Sequence, residues 1–431
     1  MLATAVAIPV MSMSLAAETF HDIWNPAAAL FPFLLLIFLC WSVACGDARL
    51  LPATVLVASF VVQAHLGYLA PTVGMLAVAF AGLAVSARRR AVPGAVAAVS
   101  VALVCWWPTI VDEVTGRPGN LTLVVRTATA HKQTLGLHVG ANAVIRAIGV
   151  RPWWLTVPAT RWDRKYDVVA AQTSLRVATT IALLVGLVVI GCLGVLRRRL
   201  DLATAAVIGL VLCIALAAIA AQTPTLPVLA ATVAYSLWWG SQCGMWVWLI
   251  VVWSTFVLAR ALVPRPSGWM PALASIAGLA AAGTAGAVAA AAEKPDQHVA
   301  LYRPISMIDA RLNRTIAPNH PVRFDGKLDV ATQPVKASVR YDLARRGDRV
   351  LSRGASLRNG RWYELDHRPY DTVVTLTDRR RRPNSGASLV IRVGYVEAGT
   401  RSSVYVWISR RVSRYAAHAA STVASATSSQ R

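Results

Sequence analysis

The feature that most limits this chain is a run of apolar residues, repeated too often for an ordinary water-soluble fold to bury. From Ala27 to Cys45 the sequence reads AAALFPFLLLIFLCWSVAC, without one charge. That is about the length an α-helix needs to cross ~30 Å of hydrocarbon. Comparable runs follow at 51–69, 71–87, 91–107, 174–196, 202–221, 237–259 and 269–291. In lipid, backbone polar groups find partners only inside helices or closed barrels. The pattern therefore predicts a polytopic α-helical membrane protein with about eight transmembrane helices. Composition agrees, with 56% hydrophobic and 15% charged residues over 431 positions, more apolar than most soluble proteins.

The first run opens on Trp24-Asn25-Pro26. Asn25 is a good N-cap, because its side-chain carbonyl accepts from an orphan backbone N–H, and Pro26 suits the first helical position, where no N–H is needed. Trp24 and Trp41 stand near the two ends, where aromatic rings favour the interface. Residues 1–26 form the expected extracytoplasmic N-terminal segment. It holds an apolar stretch and the small residues LAA, but no positive n-region of the kind a signal peptide carries. Either it is an atypical export signal or the chain lacks its natural N-terminal part, and the second reading is favoured.

Charge in the short connections sets the expected orientation. GDARL, SARRRA, LRRRLD and ARALVPRPSG carry Arg49, Arg88 to Arg90, Arg197 to Arg199, Arg260 and Arg265, whereas GYLAP and AQTPTLPVLAATVAYS carry no Lys or Arg. By the positive-inside rule the Arg-rich set is cytoplasmic. The transmembrane domain then spans 27–292, with an external loop at 108–172 and both termini outside a plasma membrane.

After Ala292 the composition turns polar. Val330, Val335, Val339 and Leu343 form a helical stripe ending at Gly347, and TVVTLT, SLVIRVGYV and SVYVWIS read as strands. Residues 293–415 are thus a small extracytoplasmic α+β domain, and 416–431, rich in Ala and Ser, a disordered tail. The formal charge of +23 is concentrated in Arg, much of it after residue 293. On a membrane protein this favours anionic lipid or a lipid phosphate as partner, and no nucleic-acid-binding motif is present. The six cysteines lie in or beside apolar runs without Cys-x-x-Cys or zinc spacing, so they read as packing residues. P-loop, GxGxxG, Gly-x-Ser-x-Gly and HExxH motifs are absent.

Polar residues inside apolar runs mark candidate sites. Gln63 and His65 in VLVASFVVQAHLGYLAP either hold a lipid phosphate or sugar hydroxyl, or hydrogen-bond between helices. Asp112 and Glu113 stand where a lipid-linked headgroup would sit, as candidate general base or metal ligand, or as a solvated helix end. Arg117, Arg126 and Lys132 either neutralise a phosphate or face water. Trp153, Trp154 and Trp162 read first as interfacial anchors, with sugar stacking as the other use.

In sequence, WNPAAALFPFLLLIFLCWSVACGD, SFVVQAHLGY, WWPTIVDEVTGRPGNL and PWWL resemble the later half of large actinobacterial GT-C-type glycosyltransferases. These are related to arabinose and mannose transferases that use polyprenyl-phosphate sugars. The resemblance covers roughly residues 20–292. It implies transfer of a sugar from a polyprenyl-phosphate donor to a cell-envelope glycan on the external face. Donor contacts would fall to Gln63, His65, Arg117 and Arg126, with a divalent metal or cations at the leaving phosphate. The family's catalytic Asp sits in a first external loop after an N-terminal span, and nothing here supplies that loop. The chain is therefore expected to start late and to be inactive alone, with Asp112 and Glu113 the carboxylates left to test. A reading from another class is a non-catalytic scaffold whose basic external domain binds envelope polymers or a partner protein.

Overall fold

The computed structural model describes residues 2–15, 20, 25–86, 91–116, 118–129, 133–156, 168–225, 236–260, 270–291, 299–327, 333–351, 370–397 and 400–410. Trp24, Arg88 to Arg90, Arg117, Lys132, Trp162, Arg265, Val330 and the tail 416–431 lie outside them. The chain divides into two compact units, Met1–Asp296 and Gln297–Arg431.

The first unit is helical. Its helices are α1 (Leu2–Met13), α2 (Asn25–Ala44), α3 (Leu51–Ala64), α4 (Leu69–Ser86), α5 (Val92–Thr115), α6 (Asn120–Thr129), α7 (Gly136–Ile148), α8 (Ser174–Leu196), α9 (Leu200–Gln222), α10 (Gly240–Arg260) and α11 (Met270–Ala291). Among the described residues six helices are long and apolar enough to cross a membrane: Pro26–Ala44, Leu66–Ser86, Val92–Thr115, Ser174–Leu196, Leu200–Gln222 and Gly240–Leu258. Shorter apolar helices, Ala48–Ala64 and Gly278–Ala291, stand where the other two expected spans fall.

The run expected at 51–69 is broken. α3 stops at Ala64, His65 is extended (φ −153°, ψ 125°), and a 3-10 turn over Leu66–Tyr68 leads into α4. Hydropathy alone does not register this break, because His65 is a single polar residue between two apolar helices. Two other segments differ from a simple external strip. α1 packs against α10 and α11, burying Met11 and Leu15 with Leu34 and Met245. Within 108–172, α7 turns Val139, Ala143, Val144, Ala147 and Ile148 into the main core. Its strong amphipathic pattern is that of a helix with one buried face.

Tryptophans tie the bundle together through backbone carbonyls. Trp41 Nε1 donates to Asp201 O at 2.9 Å, Trp246 Nε1 to Ala205 O at 3.1 Å, and Trp248 Nε1 to Ile148 O at 2.8 Å. The indole of Trp246 also meets the rings of Phe38 and Trp41 edge-on. A buried or half-buried indole N–H seeks a hydrogen-bond partner, and each of these bonds ties one helix to another. Glycines admit the closest approaches. A Cβ at Gly244 of α10 would fall on the Ala147 carbonyl oxygen of α7, and one at Gly82 of α4 on Ala44 of α2. Two of the Arg-bearing connections share one end of the bundle: Cys45, beside Asp47–Arg49, lies 3.8 Å from Thr204, just after Arg197–Arg199.

The second unit is α+β. Helices α12 (Val299–Thr315) and α13 (Gln333–Arg345) accompany strands β1 (Pro321–Lys327), β2 (Arg349–Leu351), β3 (Thr372–Thr377), β4 (Ser388–Glu397) and β5 (Thr400–Arg410) in the order β2-β1-β3-β5-β4. β1 is parallel to β2 and β3, and β5 antiparallel to β3 and β4. Leu301, Ile308 and Leu312 of α12 and Val335, Val339 and Leu343 of α13 cover one sheet face, against Val322, Phe324, Val374, Leu376, Val404 and Val406. Gly347, at φ 87°, ends the α13 segment in the left-handed region glycine tolerates. β3 and β4 both border β5, so the connection Asp378–Ala387 crosses over β5. There Ala387, Tyr405 and Trp407 form a small buried cluster, and Trp407 Nε1 donates to Thr377 Oγ1 at 3.0 Å.

Candidate functional site

Gln63 and His65 lie at the end of the bundle where α2 starts and α3 stops. Tyr68, fully buried, donates its hydroxyl to Pro26 O at 3.1 Å and meets the Phe33 ring edge-on. Phe33 in turn meets Trp239, at the start of α10, with centroids 5.5 Å apart. The Asn-Pro opening of α2 is thus fixed by the turn that follows His65. His65 itself builds that turn, since its Nδ1 accepts from Gly67 N at 3.2 Å. Nδ1 acts there as an acceptor, and Nε2 remains as the ring's other hydrogen-bonding atom.

Gln63 Nε2 donates to Cys105 O of α5 at 3.0 Å. One turn earlier, Ser59 Oγ accepts from Trp106 Nε1 at 3.0 Å. Gln63 is thus engaged in helix–helix hydrogen bonding, one of the two uses its position in an apolar run predicts.

Asp112 and Glu113 follow Cys105 along α5 by roughly 10 Å of helix axis. Both carboxylates cap the next helix. Asp112 Oδ2 accepts from Asn120 N at 2.8 Å, and Glu113 Oε2 from Thr122 N at 3.2 Å, while the Thr122 hydroxyl donates to Glu113 Oε1. Orphan N–H groups and the positive end of the helix dipole favour anions there. A Cβ at Gly119 would meet Glu113 itself, so the tight α5–α6 turn needs the glycine in GRPGN. Arg126 is exposed in the last turn of α6, and Arg117 lies outside the described residues. The structure therefore brings Gln63 and His65 together at the α3–α4 junction and gives Asp112 and Glu113 a joint structural task.

Below that junction runs an apolar groove of about 490 Å³, lined by Phe31, Pro32 and Leu35 of α2 and Leu56, Val57 and Phe60 of α3. Phe60 lies one helical turn before Ala64. Leu35, Leu56 and Phe60 keep about half of their surface exposed. Sequence patterning marks all six residues as membrane-facing or core, and only helix packing distinguishes a groove from a flat surface.

Two polar features escape the sequence pattern. At the start of α10, Ser241 and Gln242 are fully buried, and among the described residues neither side chain has a hydrogen-bond partner; nor does Trp239 Nε1. In the second unit, Asp309 of α12 hydrogen-bonds to the Asp342 carboxyl of α13. Burial, and then Asp342, push Asp309 up to about 8, against the downward pull of Arg345 and Arg346. Arg346 also pairs with the fully buried Asp348 at 2.7 Å. Among the described residues no group of three or more His, Cys, Asp or Glu is placed to hold a metal. No protein-family model matches the chain, and neither does any curated protein or solved structure.

Proposed function

We propose that the helical unit binds a polyprenyl-phosphate-linked sugar as part of a GT-C-like transfer to a cell-envelope acceptor. The observation that carries this reading is the α2–α3 groove. It is apolar, it lies between α2, long and apolar enough to cross a membrane, and the shorter apolar α3, and it ends about one turn before His65. A prenyl chain is unbranched in path and wholly apolar, so it gains from such a groove what a flat helix face does not offer. His65 then supplies its Nε2–H, and Arg126 a cation, toward the phosphate.

Transfer needs a base within hydrogen-bond reach of the acceptor hydroxyl. Asp112 and Glu113 are both engaged as caps of α6, so they support the α5–α6 turn more directly than they support proton abstraction. Donor binding is accordingly assigned to this chain, and transfer by it alone is not.

The test uses the full chain in lipid nanodiscs with a photoactivatable polyprenyl monophosphate, against the excess phospholipid of the disc. Crosslinks are expected on α2 and α3 peptides, and Leu56→Trp, which fills the groove, is expected to weaken capture about tenfold, or ~1.4 kcal/mol. Equal capture by the parent and by Leu56→Trp would sink the assignment.

A further inference from the structure

We infer that the Arg379–Arg382 crossover of the C-terminal unit is a docking surface for anionic phospholipid headgroups. This stands independently of the sugar-transfer reading. The segment leaves β3 at Thr377, crosses β5 on the face opposite the two helices, and joins β4 at Ser388. Its backbone is fixed. Thr377 Oγ1 donates to Arg379 O at 2.8 Å, Arg381 N to Arg379 O at 2.7 Å, and Ala387 N to Asn384 O at 3.2 Å. Arg382 is used internally, its Nε donating to Ala387 O at 2.6 Å. The other three arginines are held at close spacing before any ligand arrives, which lowers the ordering cost of binding.

Arg379, Arg380 and Arg381 are exposed. Among the described residues their side chains have no ion-pair or hydrogen-bond partner. An ordinary solvated surface interleaves both signs of charge, yet over 377–388 the sequence holds four arginines and one acid, Asp378. Arg392, whose guanidinium lies 5.5 Å from the Tyr405 ring centroid, adds a cation to the same sheet face. At the edge of this patch Pro383 and Leu389 are exposed, Leu389 by 41%. Arginines for phosphates beside an apolar side chain for the acyl boundary is the chemistry of an interfacial contact.

The occupant follows from chain connectivity. Only residues 292–298 separate the apolar helix α11 from α12, a contour of about 25 Å when extended. A bilayer that holds α11 is therefore tethered close to this unit, and its anionic headgroups are present at high local concentration.

The experiment is amide hydrogen exchange on the full chain in two kinds of nanodisc, neutral phosphatidylcholine and phosphatidylcholine with phosphatidylglycerol. Peptides covering Arg379–Ala387 are expected to exchange several-fold more slowly in the anionic discs only. Protection should vanish near 0.5 M salt, where the screening length is about 4 Å. The triple variant Arg379→Gln, Arg380→Gln, Arg381→Gln keeps Arg382 and its internal bond. Each arginine near an anionic surface is worth about fivefold, so the variant's docking constant should fall roughly a hundredfold and its protection disappear. Unchanged exchange in α13 peptides would show that the variant still folds. Equal exchange in both discs would overturn the proposal. So would protection by a soluble polyphosphate without protection by anionic discs, which would reassign the surface to a polymer.

Discussion

Replacing Gln242 by Met should make the helical unit more stable. Gln242 is fully buried at the start of α10, and among the described residues neither Nε2 nor Oε1 has a partner. A buried polar group without a hydrogen bond costs about 1–3 kcal/mol, and this amide carries two. Methionine has a similar length and volume, so repacking costs less than about 1.5 kcal/mol. A membrane protein's reference state also finds partners for polar groups, which reduces the difference. At the low end, about 2 kcal/mol from the two groups less about 1.5 kcal/mol of repacking leaves about 0.5 kcal/mol, roughly a twofold rise in the folded-to-unfolded ratio. The buried thiols of Cys40, Cys213 and Cys243 provide the reporter. Purified chain in mixed micelles is titrated with denaturing detergent, and the reaction of these thiols with a fluorescent maleimide is followed. Gln242→Met should shift the midpoint to higher denaturant, and Ser241→Ala, which removes the adjacent unpaired hydroxyl, should shift it less in the same direction. A fall in stability of 1 kcal/mol or more (about fivefold in the same ratio) would refute the reasoning, and would mean that an ordered water or ligand satisfies this amide.

Asp309→Asn tests the carboxyl pair. The folded pKa of about 8 lies above the usual ~3.9 of an unfolded Asp, so the folded state keeps a proton that the unfolded state has lost. The contribution of Asp309 to the stability of the second unit should therefore be fully present below pH ~4, fall as pH rises toward about 8, and level off above. Pulse proteolysis of Gln297–Arg431 within the full chain should show this slope flattened in Asp309→Asn, with the variant more stable than the parent at pH 9. An identical slope in both would dismiss Asp309 as its source. Gly244→Ala places a Cβ on the Ala147 carbonyl oxygen and beside Trp154. It should cost about 1–3 kcal/mol in the thiol-reactivity assay, with no loss expected only if α7 and α10 are not packed as described.

The apolar runs were legible because lipid demands about twenty uncharged residues in a row, and the six helices that meet this test all coincide with expected spans. β3, β4 and β5 were legible because β-branched and aromatic residues alternate there. β1 and β2 were not, since PVRFDGK carries three charges and RVL is three residues long. The burial of α1 and α7 was hidden because an amphipathic or small-residue helix reads the same at an interface as in a bundle. At the candidate site, residue type and position picked out Gln63, His65, Asp112 and Glu113, and their partners lay beyond its reach. A carboxylate that caps the following helix and a carboxylate awaiting a substrate have the same local sequence. The geometry of Asn120 and Thr122 separates them. The Ser241–Gln242 pair went unmarked because it sits in a Trp-rich stretch that reads as membrane anchor.

The strand order of the second unit bears on how the chain is made. β5 is the last of the described strands to be synthesised, yet it lies inside the sheet, between β3 and β4. Until Thr400–Arg410 exists, among the described residues β4 has no strand neighbour and β3 has only β1. The sheet therefore cannot grow strand by strand behind the emerging chain. It must wait with two bare edges, and a single late insertion closes both. Translation that stops anywhere before Thr400 leaves those edges open to pair with another copy, so for this unit an incomplete chain is a hazard of self-association as well as a loss of fold.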